Sequence, residues 1–252
     1  VESKKYSTKY VLKQLAPCYY WGFHCEVEIN SSLPNSPYFL KYFGSFEIEG
    51  NGNEKSGFIV MEYIDNLNLH FTMKEITKRM EYDCSHLKYF EWIKFIAAEL
   101  ATAIQLLHDN NIVHCDIKPT NIIIDGDGHL KLIDFGTAIA VKNLNKRMTE
   151  CIGTKGFMAP EISKGNYNSQ IDWYSYGKTL MNLLERFEGK EENWGFSKWC
   201  GLFFNGTLQL IHSCLRISPL KRIKSRDELK RFRFFRNVNW KEMDKRTAKP
   251  PG

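Results

Sequence analysis

His114-Cys115-Asp116-Ile117-Lys118-Pro119-Thr120-Asn121 lies near the middle of the chain, followed by Asp134-Phe135-Gly136 and then Ala159-Pro160-Glu161. Each piece alone recurs by chance; in this order and spacing the three are specific. Ile122–Ile124 and Leu130–Ile133 are short apolar runs split by Asp125-Gly126-Asp127-Gly128, a strong hairpin signal. Upstream, Leu87 to His108 carries Ile93, Ile96, Ala97, Leu100, Ile104 and Leu107 at three-to-four spacing, which predicts a buried helix. Further out, the first 64 residues are strand-rich. Tyr10–Leu15, Phe39–Phe46 and Gly57–Tyr63 read as strands, with a turn from Glu49 to Ser56. Phe23 to Leu33 is a short helix candidate closed by Pro34, and from Ile171 on the chain reads as helix and loop. The expected class is α+β: a small β-rich lobe over residues 1–64 and a larger helical lobe over 65–252.

Composition agrees with a globular protein. The chain has 252 residues, 43% hydrophobic and 14% aromatic, which is ample for a core and excludes a disordered or collagen-like protein. No apolar run approaches the ~18–20 residues of a membrane span, and Val1 to Lys5 does not resemble a signal peptide. The seven cysteines are scattered without a CxxC pair, so reduced thiols in a cytoplasmic or nuclear protein are expected. The net charge of +6 is uneven: from Arg216 onward 13 Lys/Arg face 4 Asp/Glu. A solvated basic surface explains that excess more simply than nucleic acid does.

The central residues suit phosphoryl transfer, which needs cations around the moving group and a positioned nucleophile. Asp116 can orient or accept the proton of a hydroxyl, and Lys118 can neutralise the phosphoryl. Asn121 and Asp134 are hard oxygen ligands suited to Mg²⁺. Isolated, each would more simply be a turn or cap residue.

These motifs resemble the eukaryotic protein kinase catalytic domain over nearly the whole chain. The resemblance implies a two-lobed fold, ATP and Mg²⁺ as cofactors, a protein substrate, Asp116 and Lys118 as catalytic residues, and Asn121 and Asp134 at the metal. It places Lys13 at the ATP phosphates and Glu26 as its ion-pair partner, with Glu28 the alternative. Met61, Glu62 and Ile64 would line the adenine, and Asn68 would lie at the nucleotide's edge. Asp172 resembles a buried anchor of the catalytic loop, and Arg222 the partner of Glu161. His114 is expected to be structural, beside Phe135. Asp172-Trp173-Tyr174-Ser175 and the segment from Glu228 to Trp240 resemble the AGC group, and Lys118 with Thr154 implies Ser/Thr acceptors.

The sequence departs from that family in three ways. No Gly-x-Gly-x-x-Gly precedes Lys13, from which a fragment of a longer protein is expected; true loss of the loop would instead suggest a pseudokinase scaffold. Cys115 stands where an arginine usually meets an activation-loop phosphate, and Glu150 stands at the phosphosite, with Thr149 beside it. Activity independent of phosphorylation there is the expectation. Asn68 and Thr120 replace two acids that read upstream arginine, so that preference is expected to weaken. A small-molecule phosphotransferase is the third reading, opposed by the peptide-docking segment from Thr137 to Glu161. The Trp194, Phe196, Trp199, Phe203, Phe204 cluster is expected to be core.

Overall fold

The computed structural model describes residues 8–17, 20–50, 54–83, 86–145, 148–188 and 206–251. The aromatic cluster from Trp194 to Phe204 lies outside them.

Strands β1 (Tyr10–Leu15), β2 (Tyr42–Glu49) and β3 (Lys55–Glu62) form an antiparallel sheet in the order β1-β3-β2. Lys13 pairs with Ile59 and Val11 with Met61. Helix α1 (Tyr20–Ser32) covers one face. It packs closely because β3 carries Gly57: a Cβ there would lie 2.3 Å from the Phe23 ring. The expected strand from Phe39 begins instead at Tyr42. Phe39 makes an isolated parallel bridge to Leu132, and the Leu132 N–H donates to the Tyr38 carbonyl at 2.8 Å. The backbone at Tyr38–Phe39 is thus committed to the other lobe before the sheet resumes.

The second lobe is built on α3 (His86–Asp109), where Ile93, Ile96, Ala97, Leu100, Ile104 and Leu107 are buried as the periodicity demands. Each large apolar side chain there contributes roughly 1.5–3 kcal/mol by leaving water. The helix α2 (Leu69–Asp83) precedes it and was not singled out in the sequence. Asn68 caps α2, its side-chain oxygen accepting the Phe71 N–H at 3.2 Å. Short ladders follow: β4 (Ile112–Val113) pairs with β7 (Ile139–Ala140), and β5 (Ile122–Ile124) with β6 (Leu130–Leu132). The β4–β7 pairing draws the loop from His114 to Asn121 beside Asp134 to Gly136. The helix α4 (Gln170–Glu188) packs on α3, with the Tyr176 hydroxyl donating to the Ala97 carbonyl at 3.1 Å. A helix over 206–214 (α5), α6 (Arg226–Leu229) and α7 (Trp240–Lys245) complete the lobe.

One hydrophobic core joins the lobes, running from Ile29, Tyr38 and Phe39 through Phe135 into α3 and α4. A separate cluster unites Val113 and Cys115 with Met148, Ala159, Ile162, Tyr167 and Ile171. Among the described residues no helix is long and apolar enough to cross a membrane.

The basic C-terminal segment is largely the solvated face that its composition suggests, with nine of its thirteen Lys and Arg residues exposed and the other four in ion pairs. Arg222 pairs with Glu161, Arg226 with Asp244, Lys230 with Asp227 and Arg246 with Asp125. Arg222 is 2% exposed.

Candidate active site

Lys13 reaches across from β1 to both lobes. Its Nζ lies 2.7 and 2.8 Å from the Glu26 carboxylate oxygens and 2.8 Å from Asp134 Oδ1. Between Glu26 and Glu28, the helix therefore presents Glu26, which is 1% exposed. Burial would lower the Lys13 pKa, but the two carboxylates outweigh it and the pKa is raised. Burial would raise Asp134; the Lys13 charge and hydrogen bond, with the Gly136 N–H, bring it below the ordinary carboxylate value.

The loop from His114 to Asn121 is held from beneath. Asp172, fully buried at the start of α4, accepts the His114 N–H at 2.9 Å, the Cys115 N–H at 2.9 Å and a bond from His108 Nε2 at 2.9 Å. Cys115 and Asp134 are both left-handed, at φ 67° and 63°. Such conformations cost about 1–3 kcal/mol for residues with a side chain, and here hydrogen bonds and packing on either side maintain them. His114 is structural. Its Nδ1 accepts the Asp116 N–H, so Nε2 carries the proton and donates to the Ile133 carbonyl at 3.2 Å. Its ring packs on Phe135 at 5.2 Å, and burial lowers its pKa.

Asp116 is the centre of the polar cluster. Its Oδ2 accepts Lys118 Nζ at 2.6 Å and Asn121 Nδ2 at 3.1 Å. Its Oδ1 is buried and accepts nothing. A buried oxygen without a partner costs about 1–3 kcal/mol, so this atom is poised for an incoming donor. Lys118 also donates to Thr154 Oγ1 at 2.5 Å, tying the loop to the segment before Ala159-Pro160-Glu161. That segment approaches closely at Gly153 (φ 109°), where a Cβ would meet the Cys115 carbonyl at 2.8 Å. Glu161 lies beyond the site in a buried, bidentate pair with Arg222, at 2.5 and 2.9 Å.

The donor set fits Mg²⁺. The Asn121 amide nitrogen is spent on Asp116, leaving its oxygen, and Asp134 has Oδ2 beyond the atom that meets Lys13. Two hard oxygens from protein, the rest from water and phosphate, is the usual Mg²⁺ arrangement. Among the described residues no group of three His, Cys, Asp or Glu could hold a metal by itself.

The adenine-side expectations are placed as follows. Met61 lies on β3 opposite Val11, one residue before the strand ends at Glu62, and Ile64 beyond it is half-buried. The Glu62 side chain accepts Lys131 Nζ at 2.8 Å and the Lys41 N–H at 3.2 Å, and its own N–H goes to the Lys41 carbonyl. Its carboxylate is therefore a link between lobes. Asn68, besides capping α2, bridges to Ile123 on β5. Sequence reasoning missed Lys131, whose place on β6 carried no motif, and His108, which read as one more turn of α3.

The protein kinase domain family matches residues 2–199. Human ribosomal protein S6 kinase alpha-6 is 29% identical over 230 residues, covering 86% of this chain. A probable serine/threonine-protein kinase of Dictyostelium discoideum is 30% identical over 215 residues, covering 79%. Protein kinase C-like 1 of Caenorhabditis elegans is 30% identical over 231 residues, covering 85%. The chain spans 29%, 44% and 31% of the length of these three relatives. With this coverage and the Lys13–Glu26–Asp134 and Asp116–Lys118–Asn121 clusters in place, the chain belongs to the protein kinase domain family.

Proposed function

We propose that this chain is the catalytic part of an ATP- and Mg²⁺-dependent kinase that phosphorylates serine and threonine hydroxyls of proteins. The observation that carries the reading is the buried, unpartnered Asp116 Oδ1 beside Lys118. A substrate hydroxyl donating to Oδ1 satisfies that oxygen and is oriented for attack. As the hydroxyl oxygen bonds to the γ-phosphorus, the bond to the bridging oxygen of ADP breaks and Asp116 takes the hydroxyl proton. Lys118 supplies positive charge next to Asp116, and Thr154 holds it there. Lys13, kept cationic by its two carboxylates, would meet the nucleotide phosphates, with Met61, Glu62, Ile64 and Asn68 toward the base and ribose. Asn121 and Asp134 would hold Mg²⁺, which neutralises phosphate oxygens when bound.

The β1–β3 sheet and the helical core on α3 and α4 support a division into a smaller lobe over 1–64 and a larger one over 65–252. Asn68 and Thr120 support a weakened requirement for upstream arginine in the substrate. Free thiols at Cys25, Cys115, Cys151 and Cys214 support a cytoplasmic or nuclear setting.

The test is label transfer from radiolabelled ATP to peptides by the protein and by Asp116→Asn. General-base and orienting roles together predict a loss of about 10²–10⁴-fold. Equal incorporation by both proteins overturns the reading.

A further inference from the structure

The two proposed metal ligands sit at the two ends of one hairpin. Asn121 immediately precedes β5, and Asp134 follows β6 by two residues. Ile122 pairs with Leu132, and the Ile133 N–H donates to the Asn121 carbonyl at 3.0 Å, so the ends are held together by backbone. The spacing of Asn121 and Asp134 therefore depends on how this hairpin is seated.

Its far end is gripped by the C-terminal segment. Arg246 Nη2 donates to Asp125 Oδ2 at 2.5 Å and reaches the Leu130 carbonyl at 3.4 Å. Asp125 Oδ1 meanwhile closes the turn by accepting the Asp127 and His129 N–H groups. Arg246 and Asp125 are only 13% and 15% exposed, so the pair is shielded from solvent. Arg246 is itself fixed: it ends α7 in a left-handed conformation, its N–H bonded to the Glu242 and Met243 carbonyls. Its guanidinium lies over the Tyr38 ring, 5.8 Å from the centroid, and the Tyr38 hydroxyl donates to the Met243 carbonyl at 2.5 Å.

The same grip reaches the site by a second route. The Tyr38 carbonyl accepts the Leu132 N–H on β6. Its neighbour Phe39 packs edge-on against Phe135, 5.9 Å between centroids, next to Asp134. Both routes start at the turn from Met243 to Arg246 and end at the hairpin that carries Asn121 and Asp134.

We propose that Arg246, with Tyr38, is a positioning residue for the metal–nucleotide site, setting the placement of Asn121 and Asp134 through the β5–β6 hairpin. The proposal rests on the kinase reading above. Residues that orient metal ligands without touching the metal typically change metal affinity by about 10–100-fold when removed. Arg246→Met should thus weaken Mg²⁺-dependent ADP binding by about tenfold while leaving ADP binding in excess chelator unchanged. Arg246→Lys, which retains the charge on Asp125, should recover most of the loss. Tyr38→Phe removes the other anchor with one oxygen and should show the same metal-selective loss, of about threefold.

The experiment is titration calorimetry of the full chain with ADP, with Mg²⁺ or with chelator, on variants shown to be folded by their thermal unfolding. Wild-type constants for both Arg246→Met and Tyr38→Phe overturn the inference alone. So does an equal loss with and without Mg²⁺, which marks general damage. If the unsubstituted protein shows no Mg²⁺-dependent binding and Asp134→Asn changes nothing, the kinase reading fails, and this inference with it.

Discussion

Asp172 accepts the backbone N–H of Cys115 across 57 positions of sequence, at 2.9 Å, and holds that residue in a left-handed turn. The same carboxylate takes the His114 N–H and His108. One buried charge thus fixes the start of the loop that ends in Asp116, Lys118 and Asn121. Replacing Asp172 with alanine leaves two buried N–H groups without acceptors. The expected cost is about 3–5 kcal/mol in denaturant unfolding, with a fall in turnover at unchanged peptide KM.

Arg222 and Glu161 form the second buried support. Arg222→Met alone strands the Glu161 carboxylate and should cost about 3–5 kcal/mol. Replacing both partners with apolar residues removes the stranded charge, so the double variant should recover part of that loss. A double-mutant cycle in urea measures the difference, and a double variant as unstable as the sum of the singles would contradict it.

Cys115 lies in an apolar cluster with Met148, Ile162 and Tyr167, and the Tyr167 hydroxyl donates to the Glu150 carbonyl at 2.5 Å. Met148 and Tyr167 also exchange backbone bonds. The segment is thereby seated by packing and backbone bonds. Thr149→Ala should keep most of the activity, measured with peptide substrate after phosphatase treatment. Loss of all activity would show that a phosphate is needed.

The same burial pushes the Cys115 thiol pKa well up, whereas Cys151 is exposed. A thiolate-selective alkylating reagent should label Cys151 in the folded protein and spare Cys115 until denaturant is added. Mass spectrometry of peptides reads both sites.

Asp134 and Lys13 set a pH window. The folded pKa of Asp134 is depressed, so its contribution to stability is present above the unfolded value, about 3.9, and is lost as pH falls through the folded value. The folded pKa of Lys13 is raised, so its contribution is present below the unfolded value, about 10.4, and is lost as pH rises through the folded value. The unfolding temperatures of the protein and of Asp134→Asn should differ most near neutral pH and converge in acid. A gap that is unchanged in acid would contradict this.

Much of the fold was legible because local patterns and tertiary demands agree. The apolar spacing from Ile93 to Leu107 and the Asp125–Gly128 turn each have one low-energy solution, and β1, α3 and the β5–β6 hairpin form where the pattern places them. Phe39 shows where legibility stops. Its residues suit a strand, yet its backbone pairs with Leu132 instead, because the lobes meet there. The C-terminal cations show it again: most are exposed as composition suggested, but nothing in composition singled out Arg222 and Arg246, which pair with Glu161 and Asp125, 61 and 121 residues earlier.

The family and the chemical inventory were readable from residue order alone: Asp116, the lysines Lys13 and Lys118, and the oxygen-bearing side chains of Asn121 and Asp134. Order and spacing suffice for that, since catalytic groups on one loop or turn keep fixed local offsets. Which partners those groups have follows from packing. The packing selected Glu26 over Glu28 for Lys13, tied Lys118 to Thr154, left the buried Asp116 Oδ1 without a partner and turned Arg246 onto the hairpin of Asn121 and Asp134. These choices depend on how the helices and the sheet pack. A hydrogen bond needs its atoms within about 3 Å, and over such separations in sequence only packing brings them that close.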